Sequence, residues 1–240
     1  MDDNTEFLTE GELPPEQKKR VAFAVGRFQP PTAGHYKVID KLKEFTRKNA
    51  KLNLEASPVV VVIAGKETGE DLVRNPFSAD DRIRYMQNSG RAVGVKFLVA
   101  NNAFSAMAII REAGFEPIAI AAGQERADDY KRMLDKYFLD ESGKEIKHVI
   151  VPGLERDNQA INKKNKDANM DDILKDMKSE GSVDDDTISG SLARRAAELG
   201  YFDEFVKIVG QEKNIPAAKQ MYKKIRTGIE KTASKMKEEE

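Results

Sequence analysis

Short apolar runs alternate with longer amphipathic stretches over the first two thirds of the chain. Residues 21–25 (VAFAV) form an apolar run of buried-strand type, and residues 58–64, 95–100, 117–122 and 147–151 are also strand-like. Between them, apolar positions recur at helical spacing over residues 34–49, 78–88, 103–112 and 128–137, and Ser78 with Asp81 makes a capping pair at the head of the second stretch. Strands that alternate with helices predict an α/β fold: a Rossmann-like parallel sheet of about five strands, helices on both faces, and ligands at the carboxyl ends of the strands.

The alternation stops after Val151. Residues 155–186 are rich in Asn, Asp and Lys and poor in apolar side chains, which predicts a mobile insertion with one short helix near residues 170–177. Helical spacing resumes over residues 189–209. A last helix follows Pro216, with Ala218, Met221, Tyr222, Ile225, Ile229, Ala233 and Met236 in one apolar stripe that is expected to dock on the chain's own core. Residues 1–20 hold Asp2, Asp3, Glu6, Glu10 and Glu12 and read as a flexible acidic arm. The expected organisation is therefore an arm (1–20), one α/β domain (21–209) interrupted by the insertion (155–186), and a C-terminal helical extension (210–240). No internal repeat is visible.

Composition narrows the chemistry. Forty basic and 41 acidic residues leave a net charge of -1, so no global field draws the chain to nucleic acid or to an anionic membrane, and phosphate chemistry must rest on local cations. The absence of cysteine excludes disulfides, thiolate metal sites and a cysteine nucleophile. His35 and His148, the two histidines, cannot build a multi-histidine zinc site. No signal-peptide core or membrane-length apolar run is present, which predicts a cytoplasmic location.

One loop stands out. Gly26-Arg27-Phe28-Gln29-Pro30-Pro31-Thr32-Ala33-Gly34-His35 joins the first strand to the first helix, where free backbone N–H groups and the helix dipole favour an anion. Gly26 and Gly34 allow close backbone approach, Arg27 supplies a cation, and His35 in the first helical turn can donate a hydrogen bond to a phosphoryl oxygen. Gly65-Lys66-Glu67-Thr68 does not make a P-loop, because Glu67 stands where Ser or Thr is required.

The run from Gly26 to His35 resembles the GRFxPxHxGH signature of nucleotidyltransferases, especially the archaeal-type nicotinamide mononucleotide adenylyltransferases, with Thr32 in place of the first histidine as in phosphopantetheine adenylyltransferases. Asn75-Pro76-Phe77-Ser78-Ala79-Asp80-Asp81-Arg82 resembles the NPFTAGER segment of the same enzymes, and Ile188-Ser189-Gly190-Ser191-Leu192-Ala193-Arg194 resembles their ISSTxxR or ISGTxxR motif. The overall pattern is also similar to stand-alone nucleotidyltransferases of tailed bacteriophages, whose Gly-x-Asp-Arg segment is matched by Gly123-Gln124-Glu125-Arg126. A phage source would place the chain in the host cytoplasm.

The resemblance implies a nucleotidyltransferase in which an acceptor phosphate attacks the α-phosphorus of a nucleoside triphosphate and pyrophosphate leaves. It implies His35, Arg27 and Arg194 as catalytic residues and Gly26, Arg27, Phe28, Thr32, Gly34, His35, Ser189, Gly190, Ser191 and Arg194 as the nucleotide site. Arg82, Gly123 and Arg126 are further candidates. ATP is the expected nucleotide, with Mg²⁺ carried by the triphosphate, no dedicated metal ligands, and small molecules as the only expected partners apart from a homo-oligomer. Other readings stay open: Ser189, Ser191 and Arg194 as an N-cap, a first-turn serine and a solvated arginine; Arg82 as the surface partner of Asp80 or Asp81; His148 as structural or exposed. The sharpest activity implied is adenylyl transfer to nicotinamide mononucleotide in NAD biosynthesis. A cytidylyltransferase or an adenylyltransferase for another acceptor shares the fold, as does a non-catalytic nucleotide-binding or structural protein of a phage. The family often stacks the nicotinamide ring on tryptophan, and this chain has none.

Overall fold

The computed structural model describes residues 19–52, 54–64, 71–121, 124–137, 149–151, 170–180 and 188–238. Five strands, β1 (Lys19–Gly26), β2 (Val59–Ile63), β3 (Lys96–Ala100), β4 (Phe115–Ala121) and β5 (Val149–Ile150), form one parallel sheet in the order β3-β2-β1-β4-β5. The chain steps outward from β1 to β3, then returns to the other side of β1 through β4. The strand order therefore reverses beside β1, and the crevice at the carboxyl end of that strand is the place where this architecture receives ligands.

Strand alternation explains the two layers that cover the sheet. Ala22, Ala24, Val60 and Val62 point to one face, which α1 (Ala33–Lys48) covers with Ile39 and Leu42 and α2 (Ala79–Asn88) with Met86. Val21, Phe23, Val59 and Val61 point to the other, against Met107 and Ile110 of α3 (Ala103–Glu112) and Leu134 of α4 (Gln124–Tyr137). A third apolar cluster lies beyond α2. There α5 (Met170–Glu180), α6 (Gly190–Leu199), α7 (Phe202–Ile208) and α8 (Ile215–Glu238) pack together around Phe77 and Tyr85. Among the described residues no helix is long and apolar enough to cross a membrane.

Several boundaries differ from the sequence-based expectation. The first strand begins at Lys19, because Lys19 and Arg20 pair with Phe115 and Glu116; the rest of the expected arm, residues 1–18, lies outside the described residues. The fourth helix begins four residues early, at Gln124, since Gln124, Glu125 and Arg126 are good helix formers that extend the amphipathic pattern. The segment over 189–209 is two helices, broken at Gly200 (φ 88°). Of the expected insertion, residues 155–169 and 181–186 lie outside the described residues, as does His148. The helix inside it runs to Glu180 and is docked: Leu174 and Met177 are buried, and Asp171 makes a two-point ion pair with Arg195 of α6. On α8 Ala218, Met221 and Ile225 of the apolar stripe are buried and Tyr222 and Ile229 half-buried, whereas Ala233 and Met236 are exposed because the helix runs on past its core.

Candidate functional site

At the carboxyl end of β1 the chain enters the loop Arg27–Thr32 and then α1. Phe28 takes a left-handed backbone (φ 51°), rare for a side chain of that bulk, and this turns its ring inward. The ring is 3% exposed. It lies over Gly26, where an added Cβ would meet it at 2.8 Å, and packs on the His35 ring at 4.8 Å between centroids with a 59° tilt. Phe28 thus acts as a wedge that orients the imidazole.

Thr32 fixes the other side of that ring. It is the fully buried N-cap of α1, and its backbone N–H donates to Nδ1 of His35 at 3.0 Å while its hydroxyl lies 2.8 Å from the same nitrogen. An amide N–H can only donate, so Nδ1 is an acceptor and the imidazole proton sits on Nε2. The helix therefore begins with an imidazole of fixed tautomer that offers an N–H donor. Ala33 and Gly34 complete the turn, and no acidic residue occupies it.

The second motif reaches the same loop from a distance of 165 residues. Ser189 caps α6 by accepting from the N–H of Leu192 at 3.1 Å, and the first turn of this helix also lacks an acid. Gly190 lies directly against the loop: a Cβ there would stand 2.6 Å from the Gln29 carbonyl oxygen, which only glycine avoids. The same carbonyl accepts from Nη1 of Arg194, and Nη2 of Arg194 donates to the Ser191 hydroxyl at 3.1 Å. Two helix N-termini thus converge on one loop with their positive ends uncompensated by first-turn acids. Neighbouring α2, by contrast, begins with Asp80 and Asp81.

Cations collect at this junction. Burial holds the Arg194 guanidinium below its ordinary range, and the nearby charge of Arg27 pushes in the same direction; Asp71 opposes them and Arg74 adds to them. Like charges brought together at a half-buried position are relieved by a bound anion. Among the described residues no group of three His, Asp or Glu side chains is placed to hold a metal ion directly. The donor set here is guanidinium, imidazole N–H and hydroxyl, which matches phosphate oxygens.

Arg82 behaves differently. It is 1% exposed, and among the described residues it forms no ion pair with Asp80 or Asp81, although the Asp81 charge acts on it. Its Nε donates to the Ser78 carbonyl at 3.0 Å, Nη1 to the carbonyls of Arg27 (2.5 Å) and Ile63 (2.6 Å), and Nη2 to that of Ala64 (3.3 Å). Burial lowers its pKa to about 10. It ties the loop to the end of β2. Gly123 lies outside the described residues, and Arg126 falls in the first turn of α4.

Two contributors escape a reading of the sequence. Gln29 is buried, and its amide donates to the Phe77 carbonyl at 2.7 Å while accepting from the Phe77 N–H at 3.2 Å, which locks the first motif to the NPFS segment. Arg74, immediately before that segment, joins the arginine cluster through the Asp71–Phe77 loop. Its backbone N–H donates to Asp71 at 2.9 Å, and its Nε lies 3.6 Å from the same carboxylate. The signal available was its adjacency to Asn75-Pro76-Phe77.

The cytidylyltransferase-like family matches this chain over residues 23–196, which spans both motifs and every residue of the junction. No curated protein matches the sequence. The chain belongs to the cytidylyltransferase-like family, and its general activity is nucleotidyl transfer.

Proposed function

We propose that this nucleotidyltransferase joins the phosphate of nicotinamide mononucleotide to the α-phosphorus of ATP, forming NAD and pyrophosphate. The observation that carries the reaction class is the junction at Gln29, where Arg194 and Gly190 of one motif close on the loop that presents His35 and Arg27 of the other. The choice of ATP and of this acceptor rests on the likeness of GRFQP and NPFSA to the archaeal-type enzymes. It is an analogy at the level of motifs.

In this reading an oxygen of the acceptor phosphate attacks the α-phosphorus, the bond from that phosphorus to the bridging oxygen of the β-phosphate breaks, and the electron pair leaves with pyrophosphate. The chain's work is positioning and neutralisation, without a covalent enzyme intermediate. His35, with its proton held on Nε2, donates to a non-bridging oxygen where charge grows, and Arg27 faces the same charge. Ser189, Ser191, the N-terminus of α6 and Arg194 hold the departing phosphates. Arg74 adds a cation from the opposite loop. Magnesium entering with the triphosphate would supply further neutralisation of pyrophosphate through phosphate oxygens and water.

Pyrophosphate release by the purified protein tests the proposal, with ATP or CTP and Mg²⁺, nicotinamide mononucleotide beside a panel of phosphorylated acceptors, and His35→Ala as control. Release with ATP and nicotinamide mononucleotide that His35→Ala lowers by about 10²–10³-fold in kcat, with ATP affinity little changed, is the expected result. Turnover confined to CTP or to another acceptor would overturn the substrate assignment and keep the reaction class. Measurable ATP binding with no release from any pair would overturn catalysis and favour the binding role.

A further inference from the structure

The last helix carries a second stripe besides its buried one. Gln220, Lys223, Lys224, Thr227, Gly228 and Lys231 recur at three- and four-residue spacing and therefore share one side of α8. That side faces the Asp71–Phe77 loop and α2, and together with Leu72, Pro76 and Tyr85 it lines a cavity of about 420 Å³. The volume falls in the range of small-molecule pockets, and the lining from the loop and α2 is apolar.

Gly228 sets the depth of this cavity. A Cβ at that position would stand 2.8 Å from the Leu72 carbonyl oxygen, so helix and loop meet backbone to backbone. Glycine in a helix interior is unfavourable for the helix, and here the close approach explains its presence. The charges are unevenly matched. Lys224 is neutralised by Asp81, which also pairs with Arg84. Lys223 and Lys231, one on each side of Thr227, form no ion pair with any described acid, on a helix whose basic residues outnumber its acidic ones seven to two.

An apolar floor beneath two uncompensated ammonium groups selects for a ligand with an apolar body and a negative head. We propose that this cavity is a second ligand site, separate from the phosphate junction, for a small aromatic anion. Its ring lies on Leu72, Pro76 and Tyr85, and its carboxylate, sulfonate or phosphate is held between Lys223 and Lys231. A nucleic-acid strand fits less well, because a strand is tracked by cations along an extended groove with successive stacking platforms, whereas here two cations flank one pocket.

The test is a binding measurement on the full chain, so it does not depend on the reaction assigned above. Titration with 1-anilinonaphthalene-8-sulfonate, followed by its fluorescence, is expected to show one saturable site that 2-naphthoate empties by competition. Lys223→Glu combined with Lys231→Glu should weaken binding more than tenfold. Thr227→Trp, which fills the cavity and keeps both lysines, should abolish it. Circular dichroism and the thermal midpoint identify variants that remain folded. Saturable binding that survives Thr227→Trp, or that neither variant changes, would overturn the proposal, as would the absence of saturable binding. Displacement of the probe by a short oligothymidylate at lower concentration than by 2-naphthoate would overturn it in favour of a nucleic-acid surface.

Discussion

Two arginines from different helices reach the same loop, and they do different work. Arg82, on α2, gives its guanidinium to four backbone carbonyls, of Ser78, Arg27, Ile63 and Ala64. Four of its five N–H donors are spent on backbone, and the side chain is 1% exposed. Arg194, on α6, donates to the Gln29 carbonyl and the Ser191 hydroxyl, remaining half-buried near the charges of Arg27 and Arg74. Both sit inside motifs that resemble family signatures. The first holds the loop's shape, and the second holds its shape while keeping charge available at the junction.

This contrast predicts that the two substitutions fail in different assays. In the proposed reaction Arg194→Ala removes a donor to the charge that develops on the leaving phosphates, so kcat should fall by about 10²–10³-fold, equivalent to about 3–4 kcal/mol of transition-state stabilisation. Its thermal midpoint should move less than that of an Arg82 variant, because Ser191 is exposed and only the Gln29 carbonyl loses a buried partner. A drop in stability that matched the drop in rate would make Arg194 a second structural arginine. Arg82→Met, in contrast, strands several buried carbonyls and should cost about 3 kcal/mol in denaturant unfolding. If Arg82→Met unfolded at the wild-type denaturant concentration, the strut role would be wrong.

Between these extremes lies Gly190→Ala. The new methyl group would meet the Gln29 carbonyl oxygen at 2.6 Å, and since that neighbour is backbone, α6 must retreat. Overpacking of this kind costs about 1–3 kcal/mol. Because the retreat separates the two motifs, turnover should also fall, by about tenfold. Pyrophosphate release and a melting curve on the same preparation distinguish this coupled loss from the separated losses of the two arginine variants.

How much of this was legible before the structure depends on the range of the interaction. The strands were, because VAFAV and the run from Val59 to Ile63 are apolar without interruption, and the capping pair Ser78 and Asp81 is local. The placing of His35 and Ser189 at helix starts was legible for the same reason. The clamp between Gln29 and Phe77 was not, since it spans 48 residues and uses backbone groups that carry no sequence signature. The burial of Arg82 was not legible, because a charged residue on a polar helix is ordinarily solvated. Only the folded chain shows carbonyls from three segments converging on it. The inward turn of Phe28 depends on a backbone angle that its sequence neighbours do not demand.

Arg74 allows the smallest and most discriminating measurement. In its loop Asp71 both accepts from the Arg74 backbone N–H and lies within 3.6 Å of its Nε, so the carboxylate partly cancels the cation that Arg194 experiences. The pair is largely exposed, so its coupling is a fraction of a kcal/mol. Asp71→Asn keeps an acceptor for the backbone bond and removes the charge. Triphosphate affinity measured by calorimetry at low salt should then rise about two- to threefold, and the gain should fade as salt is added, because exposed charges are screened over about 10 Å at 0.1 M. Arg74→Ala should move affinity the other way. If Asp71→Asn instead weakened binding, Asp71 would be holding the loop open for the ligand rather than competing with it, and the arginine cluster would count as two residues, Arg27 and Arg194, instead of three.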